Sequence, residues 1–83
     1  MTFDEAIDTL WSEYPGWRWL VKCNDDCTAF WARIESPDFD AVTWTAGDMT
    51  KTDIMRGTQA TSGWADTPAE AILHAVLMME ANQ

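Results

Sequence analysis

Basic residues are scarce in this sequence: five Lys and Arg stand against fourteen Asp and Glu, for a formal net charge of −9. Such a charge repels nucleic-acid phosphates and anionic membranes, and it attracts basic protein surfaces. Direct binding to nucleic acid or to a membrane is therefore not expected. Two interpretations of the acidity stay open. It keeps the protein in solution, or the acidic surface imitates nucleic acid and occupies the basic groove of another protein.

Long apolar runs are also missing. No segment approaches the roughly 18 consecutive apolar residues that a membrane span needs, and the acidic start lacks the basic flank and apolar stretch of a signal peptide. Cysteine is limited to Cys23 and Cys27, whereas small secreted domains usually carry several disulfides. We therefore expect a cytoplasmic protein with two free thiols.

Signatures of catalysis are few. Cys23, Cys27 and the single histidine, His74, supply half of a zinc site at most, because structural zinc sites usually use two close pairs of ligands. His74 has no recognisable nucleophile as a partner, and the sequence has no Gly-rich phosphate loop. The sequence predicts no enzyme, no cofactor and no metal.

Signals for two helices stand at the ends of the chain. Thr2 and Glu5 predict a capping box before an amphipathic helix that Pro15-Gly16 ends. A second capping signal, Thr67-Pro68-Ala69-Glu70, predicts the closing helix. We expect residues 1–83 to form one domain, because no linker or repeat interrupts them.

Alternating apolar residues predict strands between the helices, at 17–23, 27–35 and within 39–46. The predicted fold is α+β, in the order α-β-β-β-α, with an antiparallel three-stranded sheet packed against two helices. Residues 47–63 show no clear period and are predicted to be a long loop, with room for one short strand near 58–64. A loop of that length in so small a domain is often functional.

The register of the first hairpin has two solutions. A four-residue loop sets Trp19 opposite Ala32 and Val21 opposite Phe30, whereas a three-residue loop sets Cys23 opposite Cys27. We favour the first register because it gathers apolar side chains on one face.

Six tryptophans are the most unusual feature of the composition. Three or four are expected in the core, since a small domain needs bulky side chains to bury enough area, and the others at the surface. In the favoured register Trp31 shares the face away from the helices with Arg18 and Arg33. An exposed aromatic beside arginine is typical of an interface hot spot. Stacking on single-stranded nucleic acid is an alternative that the net charge disfavours.

Acidic side chains cover the outer face of the first helix. They are predicted to contact the partner if the protein imitates nucleic acid, and they are Asp4, Glu5, Asp8 and Glu13.

The amphipathic first helix, the segment Pro15-Gly16-Trp17-Arg18-Trp19 and the closing Gly63-Trp64-Ala65-Asp66-Thr67-Pro68-Ala69-Glu70-Ala71 resemble small bacteriophage and prophage proteins of the "ABA sandwich" type. HicB-like antitoxins have a similar strand-to-helix junction. The resemblance implies a protein that binds and inhibits a host protein or defence complex, as anti-CRISPR proteins do. The acidic charge adds the expectation that this partner has a basic nucleic-acid-binding surface. The alternatives are an antitoxin, or a self-associating structural protein that forms a homodimer through its sheet face.

Overall fold

The computed structural model describes residues 1–82. Along the chain, five strands lie between two helices, one near each end. The elements are α1 (Phe3–Glu13), β1 (Arg18–Cys23), β2 (Phe30–Glu35), β3 (Asp40–Ala46), β4 (Met49–Arg56), β5 (Gln59–Thr61) and α2 (Pro68–Ala81). The predicted α+β class is confirmed. No helix within residues 1–82 combines the length and the apolar character needed to cross a bilayer.

The main sheet is antiparallel, with the order β1-β2-β5. Its third strand is therefore β5, the short strand expected near residues 58–64, and not β3. Strand β3 pairs with β4 in a separate two-stranded sheet. The prediction of a long loop over 47–63 was wrong, because this segment contains all of β4 and β5.

The register of the β1–β2 hairpin differs by two residues from the one favoured by the sequence. Trp19 lies opposite Ile34 and Val21 opposite Ala32, so that the loop spans residues 24–29. The side chain of Asn24 organises this longer loop, because its Oδ1 accepts hydrogen bonds from the backbone N–H groups of Thr28 and Ala29 at 2.9 and 3.2 Å. A shift of two residues leaves every side chain on its expected face.

Strands β3 and β4 form a projection that we call the hairpin arm, residues 40–56. Gly47 and Asp48 make its two-residue turn, and the φ of 62° at Gly47 matches the first central position of a type II′ turn. No Cα atom of either strand comes within 8 Å of a Cα atom in another helix or strand of residues 1–82, near neighbours in the chain excepted. The arm therefore extends from the two helices and the main sheet, which we call the body, without packing on them.

A tight junction joins the arm to the body. The buried hydroxyl of Ser36 donates to Asp38 Oδ1 at 2.7 Å and accepts from the backbone N–H of Thr58 at 2.9 Å. Gly57 has a φ of 76°, and a Cβ atom at this position would lie 2.7 Å from the Cα of Phe39. Glycine is required here by both the backbone conformation and the lack of space.

Both helices begin at the capping residues that the sequence predicts. Thr2 and Glu5 form the predicted capping box, and α1 ends at Glu13, just before Pro15-Gly16. Thr67 caps α2 by accepting a hydrogen bond from the N–H of Glu70 at 3.1 Å. Pro68 occupies the start of the helix, as predicted.

Alanines and larger aliphatic side chains, with no tryptophan, build the buried core of residues 1–82. Its members are Ala6, Leu10, Ala32, Ile34, Ala69, Ala71, Ile72, Ala75, Val76 and Met79. The expectation of three or four core tryptophans was wrong: Trp17 and Trp31 are half-buried and the other four are exposed. Alanines on α2 and at Ala32 let the helix lie close to the sheet, and the half-buried Trp17 packs against the edge of this core.

Candidate protein-binding surfaces

The helices carry only one sign of side-chain charge. Neither residues 1–16 nor residues 62–82 contain Lys or Arg. Seven exposed carboxylates are distributed over both helices and the loop before α2, and we call this set, which is not confined to one face, the acidic helical side: Asp4, Glu5, Asp8, Glu13, Asp66, Glu70 and Glu80. The intervening residues 17–61 hold the other seven acidic residues together with all five basic ones, so the helices carry most of the net charge.

The predicted acidic residues of α1 divide into two groups. Asp4 and Asp8 lie one turn apart and Glu5 is next to them, which places three carboxylates on one exposed face. Glu13 is also exposed, but at 100° per residue it lies about 180° round the helix from Asp4. The structure therefore brings Asp4, Glu5 and Asp8 together and leaves Glu13 apart.

Two groups beside the helix ends have shifted pKa values. Hydrogen bonds from the backbone and side chain of Thr2 hold the pKa of Glu5 below its ordinary value. Glu5 therefore stays anionic to lower pH than a free glutamate. Partial burial, together with the charge of Glu80 and a hydrogen bond to it, raises the pKa of Tyr14.

Most of the basic side chains are paired with carboxylates. Salt bridges join Arg18 to Glu35 at 3.8 Å, Lys51 to Asp53 at 3.5 Å and Arg56 to Asp40 at 3.6 Å. Of the five basic residues, Lys22 and Arg33 alone form no salt bridge within residues 1–82. The strands therefore present little free positive charge to a ligand.

The predicted patch of Arg18, Trp31 and Arg33 lies on one face of the main sheet. Lys22 stands opposite Trp31 with its Nζ 5.6 Å from the ring centroid, a cation–π contact. Trp31 and Arg33 are half-buried, although Trp31 was expected to be exposed. Arg18 is held by Glu35 and by a 3.2 Å hydrogen bond to the carbonyl of Phe39. The structure places the three side chains on one face, with Trp31 in contact with Lys22 and Arg18 with Glu35 and Phe39.

The hairpin arm exposes apolar side chains that the sequence did not single out. One face carries Trp44, whose indole N–H donates to Asp53 Oδ2 at 2.9 Å, together with Met49, which exposes 76% of its surface. The other face carries Ile54 and a set of threonines, Thr43, Thr45, Thr50 and Thr52. The turn signal Gly47-Asp48 and the alternation of threonine with charged residues in β4 could have identified this hairpin.

The cysteines and the histidine lie at the surface. Cys23 and Cys27 are exposed, free thiols, and a hydrogen bond to Cys27 raises the pKa of Cys23. The Nδ1 of His74 accepts a hydrogen bond from the N–H of Gly63 at 3.3 Å. Within the described part of the chain, no three His, Cys, Asp or Glu side chains are grouped as metal ligands.

These surfaces suit contact with another macromolecule: a negatively charged helical side, a sheet face with basic and aromatic groups, and an apolar arm. Comparison with protein-family models, with curated proteins and with solved structures finds no match for the chain.

Proposed function

We propose that this protein is a phage-type inhibitor that binds a host protein in the cytoplasm, with its acidic helical side against a basic, nucleic-acid-binding surface of that partner. One observation carries the proposal: seven exposed carboxylates and no Lys or Arg lie in the two helical segments. The origin in a phage rests on the sequence resemblance alone. The proposal assigns the protein no reaction of its own.

Electrostatics supports this mode of binding. Complementary charge increases the rate of association and excludes partners of like charge, while the affinity comes mostly from desolvated contacts. The carboxylates of Asp4, Glu5 and Asp8 would supply the complementary charge. Two exposed tryptophans would supply the desolvated contacts: Trp11 and Trp64 expose 46% and 62% of their surface.

Self-association through the sheet face is a second candidate function. The helices lie on the other side of the main sheet, so its free face presents Leu20, Trp31 and Arg33, all half-buried. Pairing two such faces in a twofold dimer would cover them. Light scattering at high protein concentration tests this candidate. Self-association predicts a dimer, so a monomer would exclude it, whereas the inhibitor does not require a dimer.

The experiment compares two double variants that remove the same charge. Asp4→Asn/Asp8→Asn changes the acidic helical side, whereas Asp25→Asn/Asp26→Asn changes exposed carboxylates in the β1–β2 loop. Partners are first captured from a bacterial lysate and eluted with salt. Each purified partner is then tested for release of bound DNA or RNA when the protein is added.

The expected result is displacement of nucleic acid by the wild type. Affinity should fall at least about tenfold in Asp4→Asn/Asp8→Asn and about twofold or less in the loop variant. Binding should also weaken between about 0.05 M and about 0.5 M salt. Equal losses in the two variants, or a partner that keeps its nucleic acid, would contradict the proposal.

A further inference from the structure

A groove of about 290 Å³ lies between β5 and the C-terminal end of α2. One wall is the four-residue segment 58–61, which contains all of β5. The other is the end of α2, where Met78 and Asn82 line the groove. This groove is separate from the acidic carboxylates of α1 and from the hairpin arm.

The strand side of the groove offers unpaired backbone groups. Strand β5 is at the edge of the sheet. Ser36, just after β2, donates its N–H to the carbonyl of Thr58 at 2.9 Å, and Ser62, just after β5, donates to Ala32 at 2.8 Å. Ala60 is paired with Ile34 between them, so residues 58, 60 and 62 direct their backbone groups toward β2 and Ser36. Because hydrogen bonding alternates along an antiparallel strand, Gln59 and Thr61 direct their N–H and C=O groups outward. Those groups have no hydrogen-bond partner within residues 1–82.

The helix side of the groove is apolar and electronegative. Met78 exposes 41% of its surface, and its carbonyl accepts a hydrogen bond from Asn82 Nδ2 at 2.9 Å. The C-terminal end of a helix carries partial negative charge, and the last turn of α2 has no basic residue to balance it. Glu80 adds a formal charge in the same turn, and the whole chain carries −9.

We propose that this groove binds an extended, basic segment of a partner protein, which adds to the main sheet as a strand beside β5. The outward N–H and C=O groups of Gln59 and Thr61 would pair with the backbone of the segment, as in other cases of strand addition. Three residues of strand span about 10 Å, so about five residues of peptide suffice.

The side chains of the added strand would alternate between two environments. Those on the helix side contact Met78, which favours apolar residues. Those on the opposite side lie near Gln59, whose amide donates to Glu35 Oε2 at 3.1 Å. Because Glu35 is already paired with Arg18, the preference for Lys or Arg on this side comes from the net charge of −9. The inference goes beyond the proposed function, since the groove lies apart from the carboxylates of α1 and the inference holds whether or not those carboxylates have a partner.

The test uses the full chain and synthetic peptides. The probe is a seven-residue peptide that alternates Lys with Val, and binding is followed by the NMR shifts and hydrogen exchange of the Gln59 and Thr61 amides. Three comparison peptides separate the contributions. One replaces Lys with Glu, one replaces Val with Gly at the same charge, and one carries methyl groups on the backbone nitrogens of one strand edge.

Two variants complete the design. Met78→Lys places a charge in the groove, while Leu77→Lys makes the same change at the neighbouring position, which is exposed and outside the groove. We expect the Lys-Val peptide to slow exchange of the Gln59 and Thr61 amides. Its affinity should fall at least about tenfold in Met78→Lys and about twofold or less in Leu77→Lys. The other three peptides should bind more weakly.

Several results would overturn the proposal. Equal binding of the Lys-Gly peptide would mean attraction by net charge alone, and equal binding of the N-methylated peptide would mean that no strand is added. Absence of binding by the Lys-Val peptide would refute it directly. A dimer that protects the amides of Gln59 and Thr61 without peptide would show that a second copy fills the groove.

Discussion

Trp64 exposes 62% of its surface, whereas Ile72 on α2 is fully buried. A large apolar side chain such as tryptophan stabilises a protein more than a smaller one only when it is buried. Trp11 illustrates the same arrangement, because its indole lies at the surface and donates a hydrogen bond to the carbonyl of Trp17 at 2.8 Å. Individual tryptophans of this chain are therefore available for contact with a partner.

A pair of substitutions tests whether the core residue, and not the exposed tryptophan, stabilises the fold. Ile72→Ala should lower the free energy of unfolding by about 2–5 kcal/mol, since it opens a cavity in the core. Trp64→Ala should lower it by less than about 1 kcal/mol, because little of the indole is buried. Urea denaturation of both variants in one buffer measures the difference. A larger loss for Trp64→Ala would mean that this tryptophan holds the fold together.

At the scale of elements, the sequence predicted local features better than pairing. The capping box at Thr2 and the start of α2 depend on a few adjacent residues and were found. The hairpin register depends on Asn24, whose contacts span the loop, and the prediction was two residues off. Strand β4 was missed because both of its faces are solvated, so burial imposes no apolar alternation on it. The groove at β5 depends on strand order, which no local pattern specifies.

The independence of the hairpin arm can be measured by removing it. We expect that replacing residues 40–56 with an Asn-Gly turn changes the unfolding free energy of the body by less than about 1 kcal/mol, because the arm packs on no other element. Circular dichroism during urea denaturation provides the measurement. In the intact protein, amides of β3 should exchange with solvent faster than those of β2, which serves as the internal control. Loss of cooperative unfolding on removal would show that the arm supports the core.

At the scale of the whole molecule, charge and shape are both unevenly distributed. The extents are 43 × 32 × 19 Å, and the carboxylates of the helical segments face no Lys or Arg in those segments. Repulsion among these carboxylates opposes folding, and dissolved salt screens it. Repulsion in the helical segments therefore lowers the stability of the free protein, and a basic partner would relieve it.

The stability of the free protein should therefore increase with salt. Raising ionic strength from about 0.01 M to about 0.15 M shortens the Debye length from about 30 Å to about 8 Å. The melting temperature should rise, and Asp8→Asn/Glu13→Gln should reduce the size of this rise. The variant Asp25→Asn/Asp26→Asn, outside the helices, controls for the change in net charge. A melting temperature that is independent of salt in all three proteins would contradict the expectation.

The separation between the hairpin arm and the body has an evolutionary consequence. Within the described chain, no residue of 40–56 belongs to the core or packs against it, so most substitutions there carry little folding cost. Selection for a new partner could therefore alter the arm while the body stays unchanged. Among homologous chains, we expect the arm to diversify fastest in sequence and in length, with Ser36 and Gly57 preserved at its base.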